Sequence, residues 1–211
     1  MVRGLDERVD TCTARYLRTV TSALSALQVE SYASRIYIRE IVESVNNGLF
    51  LSAIVLSTIL LEIWVRDLLV IHMCAQEGRV TKKDMQYRLI QIDREVEGTR
   101  RGKSFKDICC DLIKMKVIQK DEHEKIQNIY DKFRTPLLHG ITGRIVDPRH
   151  PNEREHPYAS TDTFMFLEIT LSAVHQRANS LEDVVYGSVT SVLADIVNFM
   201  GAHQIPKIDD L

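Results

Sequence analysis

No proline occurs before Pro136 in this chain of 211 residues. Proline removes a backbone donor and clashes with the carbonyl four residues back, so its absence leaves long unbroken helices open to the first 135 residues. Glycine, the other residue that weakens helix interiors, is held to nine copies. The apolar residues recur at helical spacing. Tyr16, Leu17, Val20, Leu24 and Leu27 fall on one stripe of a helix expected over residues 5–27. Ile36, Ile38, Ile41 and Val42 mark a second over 31–45, and Asn46 and Asn47 offer caps to the segment that follows.

That segment, residues 48–76, is apolar nearly all round in its first half, which calls for burial on several faces. Its uncharged run, GLFLSAIVLSTILL, has 14 residues. A membrane span needs about 20. Glu62, Arg66 and Asp67 then interrupt the run, so a core helix anchored by Trp64 is expected. Start signals at Thr81 and at Ser104 with Asp107 open helices to about Glu97 and Lys116. Asp121 opens another that ends at Gly140, with Ile126, Ile129, Tyr130, Phe133, Leu137 and Leu138 as its stripe. Residues 141–160 carry Pro148, Pro151 and Pro157 and read as an irregular loop of a length that is often functional. Helical spacing returns over 161–200, with Ser180 and Asp183 as a point of division. No pair of alternating segments is joined by a hairpin turn. The fold class expected is an all-α bundle. Its expected organisation is N-terminal helices over 1–45 packed on the core, a helical domain over 46–200 and a C-terminal tail over 201–211.

With 45% apolar and 27% charged residues, the chain is not a disordered tail. A formal net charge of −2 does not suggest a strongly basic coat for nucleic acid and leaves RNA binding to local patches. Two exist, Arg100, Arg101 and Lys103 in one turn and Arg144, Arg149 and Arg154 in the long loop; each is a weak RNA-binding candidate, with solvated surface charge the simpler reading. Cys12, Cys74, Cys109 and Cys110 include one adjacent pair and no C-x-x-C, so reduced thiols and no zinc site are expected. His150 and His156 with Glu153 and Glu155 lack the helical pairing that favours a metal, and no metal ligand is assigned. The charged N-terminus lacks an apolar signal core, so a cytoplasmic protein without membrane contact is expected. There is no phosphate-binding loop, dinucleotide glycine pattern or serine elbow.

The stretch FRTPLLHG, residues 133–140, holds the sharpest chemistry. Pro136 in an ordinary helix interior costs about 3 kcal/mol. Arg134 and His139 are five apart. On a straight helix of ~3.6 residues per turn they point about 140° apart. A local distortion, or a second copy of the chain across a twofold axis, would bring such a pair to one cleft.

The pattern Tyr130-x-x-Phe133-Arg134-x-x-x-x-His139-Gly140, preceded by an apolar helix that carries Glu62, resembles the HEPN family (higher eukaryote and prokaryote nucleotide-binding domains) over roughly residues 46–200. The resemblance implies a HEPN-type bundle, here with an extra N-terminal helical hairpin, that forms a homodimer and cleaves RNA without metal or cofactor. It implies that His139 takes the proton of a ribose 2′-hydroxyl, which attacks the adjacent phosphate. Arg134 would bind that phosphate and Thr135 would help to hold it, at a position where many ribonucleases of the family carry Asn or Asp. Glu62 would orient Arg134 or His139. DNA, lacking the 2′-hydroxyl, would survive. The toxin-like branch of the family further implies a toxin–antitoxin or antiviral-defence (abortive infection) effector, with an antitoxin or regulatory protein as partner. A non-catalytic module of the same fold, binding RNA, a nucleotide or a partner protein, is the alternative.

Overall fold

The computed structural model describes residues 4–29, 31–77, 87, 90–92, 94–96, 103–134 and 163–205, with side chains over 163–182 excepted. The elements in chain order are α1 (Leu5–Arg8), α2 (Thr11–Ser25), α3 (Tyr32–Asn46), α4 (Phe50–Gln76), α5 (Phe105–Lys114), α6 (Lys120–Ile129), a π turn (Tyr130–Arg134) and α7 (Thr163–Ala202). No strand occurs among the described residues, and the fold is all-α.

The helix boundaries follow from side chains that compete for backbone N–H groups. The first expected helix is broken at Val9 and Asp10, because the Asp10 carboxylate accepts from the N–H groups of Cys12 and Thr13 and restarts the chain as α2. An aspartate is better placed at a cap than inside a helix, and the apolar stripe alone does not reveal that. Asn47 closes α3 rather than opening α4: its Nδ2 donates to the Glu43 carbonyl at 2.8 Å. Gly48 then turns with φ 67°, a left-handed conformation that suits glycine, and α4 begins without a side-chain cap. Ser104 and Asp107 form the expected capping box on α5. For α6 the box is Gln119 with Glu122, not Asp121. α7 runs unbroken through Ser180 and Asp183 for 40 residues. No proline or glycine falls between Thr163 and Tyr186, so a serine and an aspartate alone do not divide it.

α4 lies at the centre. Leu60, Leu61, Trp64 and Val65 are fully buried, and α3, α5, α7 and the π turn all pack against it. α2 closes the layer between α3 and α7. The N-terminal helices share this core, and Arg8 Nη1 donates to the Tyr186 hydroxyl of α7 at 2.8 Å. The Trp64 indole donates to the His203 carbonyl at 2.8 Å, which ties the end of α7 to the middle of α4. The stretch Asp183–Ala202 has the length and apolarity to cross a membrane; here Val189, Leu193, Ile196 and Met200 are buried in the shared core.

Leu61→Ala removes a fully buried side chain from this centre. It is expected to lower the unfolding free energy by about 3 kcal/mol, read in urea from the fluorescence of Trp64, the only tryptophan. Burial pushes the Cys109 thiol up to about 12 and Cys74 is enclosed, whereas Cys12 is exposed. A thiol reagent should therefore label Cys12 in the native protein and reach Cys74 and Cys109 only on unfolding.

Candidate functional site

The inward face of α4 is committed to the core through Leu61, Trp64 and Val65, which leaves Glu62 at the helix edge. The π turn after α6 lies against that edge. A π turn bonds i to i+5 and is wider than an α turn. Its position fits the sequence, since Pro136 has no N–H to offer Lys132 in the middle of the turn. The turn sends Phe133 into the core and Arg134 to Glu62. Arg134 Nε donates to Glu62 Oε2 at 3.1 Å, joining residues 72 apart in sequence. The Arg134 side chain is only 16% exposed and that of Glu62 37%, so the guanidinium is mostly out of water. Arg134 Nη1 is buried and has no partner among the described residues. An unmatched buried donor costs about 1–3 kcal/mol, so this edge of the guanidinium suits an anionic oxygen.

Tyr130 opens the same turn. Its ring stacks on Phe105 of α5, centroids 4.2 Å apart and planes within 4°. Burial pushes the phenol above its ordinary pKa, the Glu62 carboxylate pushes it further, and the Arg134 charge opposes them. The phenol therefore lies within electrostatic reach of both members of the pair.

Of the residues singled out in the sequence, Glu62 and Arg134 are brought together. Thr135, His139, Arg100, Arg101, Arg144, Arg149 and Arg154 lie outside the described residues, as do Pro136, His150, Glu153, Glu155 and His156. Lys103 Nζ bonds Asp111 Oδ2 at 2.7 Å, and Lys114 holds the other oxygen at 2.8 Å. Those two lysines hold the Asp111 carboxyl below its ordinary value. Among the described residues no group of three His, Cys, Asp or Glu is placed to hold a metal.

Sequence reasoning missed a second polar junction. Glu122 accepts the Gln119 N–H with one oxygen at 2.7 Å and meets His203 Nε2 with the other at 2.9 Å. His203 in turn receives Trp64 through its carbonyl. The spacing of Gln119 and Glu122 is a capping-box signal that could have located the first half of this junction. Beside it, Glu122, Lys125, Ile126, Asp195, Asn198 and Phe199 line a shallow pocket of about 260 Å³. Comparison with family models, with curated proteins and with solved structures finds no match for the chain.

The electrostatics around Tyr130 give an expected outcome with a defined sign. Glu62→Gln removes a negative charge and should lower the Tyr130 pKa, whereas Arg134→Gln should raise it. The absorbance titration of each protein, minus that of its Tyr130→Phe counterpart, isolates this one phenol among seven tyrosines.

Proposed function

We propose that the protein is a metal-independent endoribonuclease of the HEPN type that works as a homodimer. The observation that carries this reading is the Glu62–Arg134 pair, which leaves Nη1 buried beside it with no partner among the described residues. An arginine held through Nε keeps its other nitrogens for a phosphate, and a mostly dry guanidinium acts on developing charge more strongly than one in water. In this reading Glu62 is a positioning residue that fixes the plane of the fork, and Arg134 binds the scissile phosphate. His139, five residues on, takes the 2′-hydroxyl proton. The 2′-oxygen forms a bond to phosphorus, the bond from phosphorus to the 5′-oxygen breaks, and that oxygen leaves with a proton that water or the protonated His139 returns. The products are a 2′,3′-cyclic phosphate and a 5′-hydroxyl. Thr135 adds a hydroxyl donor next to Arg134. The cellular role in this reading is that of a toxin or abortive-infection effector restrained by an antitoxin or regulatory protein.

The test is incubation with mixed single-stranded RNA in excess EDTA. The wild type should cut RNA, leave cyclic phosphate ends and spare DNA of the same sequence. Arg134→Ala and His139→Ala should each slow cleavage by about a hundredfold or more. Intact RNA that is nevertheless bound by the wild type would contradict catalysis and favour the non-catalytic RNA-binding module of the same fold.

A further inference from the structure

Tyr130 has no task in the cleavage proposed, yet its ring is held by a close stack on Phe105. Tyr130 and Arg134 are the first and last residues of one π turn. Side chains four apart on a helical turn are neighbours. The Phe105 stack pins the ring, so the hydroxyl is held in one direction with little rotamer entropy left to lose. Within the pair beside it the charges cancel, Glu62 being negative and Arg134 positive, and Asp131 adds a further negative charge. Such a pair draws a phosphate only weakly by net charge, so recognition depends on directional donors around the fork. A phenol is such a donor while it keeps its proton, and burial and Glu62 both favour the protonated form.

We infer that Tyr130 is a phosphodiester-binding residue of this site, its hydroxyl donating to a non-bridging oxygen of the phosphate that Arg134 takes through Nη1. The inference rests on the ribonuclease reading of the pair and adds to it a neutral donor drawn from the same turn. Tyr130 is then a contact to substrate and not a support for the aromatic stack alone.

Tyr130→Phe tests it, because the ring and its stack on Phe105 remain and only the hydroxyl is lost. The probe is a short 2′-O-methyl oligoribonucleotide, whose blocked 2′-oxygen cannot attack, so binding is read apart from cleavage by fluorescence anisotropy. The expected result is binding about tenfold weaker than wild type, with an unchanged melting temperature. In the wild type, the Tyr130 absorbance titration should also move to higher pH when the oligonucleotide is bound, since a nearby phosphate disfavours the phenolate. If Tyr130→Phe binds as tightly as wild type while Arg134→Ala binds weakly, the role of Tyr130 is overturned and the ribonuclease reading stands. If the wild type does not bind the probe, the ribonuclease reading falls and the role of Tyr130 with it.

Discussion

The burial of α4 on nearly every side is the constraint on which the rest of the structure depends. A helix with Leu60, Leu61, Trp64 and Val65 all shielded from water must be covered by neighbours on several faces, and α3, α5, α7 and the π turn supply that cover. Each of these buried side chains contributes about 1.5–3 kcal/mol relative to exposure, enough to outweigh the helix's weak start at Leu49. Glu62 sits at the partly exposed edge of this helix, where Arg134 meets its carboxylate. The pair then ties the π turn to the central helix of the fold.

The same helix connects two polar junctions. Glu62 holds the π turn through Arg134, and Trp64, two residues on, holds the end of α7 through the His203 carbonyl. His203 reaches Glu122, whose other oxygen caps α6, and α6 leads directly into the π turn. The path from α4 through α7 and α6 thus returns to Arg134. Both ends of the segment that carries Arg134 are tied down by side chains, although the turn itself departs from α geometry.

Much of the helical class was legible in the sequence, because the absence of early proline and the 3.6-residue spacing act over long windows where single errors average out. Boundaries were less legible. Asp10, Asn47 and Gln119 each decide an end through one or two hydrogen bonds, and a periodic pattern does not register so local a competition. Glu62 was expected to orient Arg134 or His139; it pairs with Arg134, and His139 lies outside the described residues. The pairing of Lys103 with Asp111 was not legible, since the two are eight residues apart across a cap. The π turn was foreshadowed by Pro136 only as a distortion of unspecified kind.

A double-mutant cycle on RNA cleavage tests the central claim most directly, using Glu62→Gln, Arg134→Gln and the pair together. If Glu62 acts by positioning Arg134 on a phosphate, the double variant should cleave no more slowly than Arg134→Gln alone, because the carboxylate has nothing left to orient. Losses that multiply would show two independent roles, and variants that cleave as fast as wild type would remove the pair from the chemistry altogether.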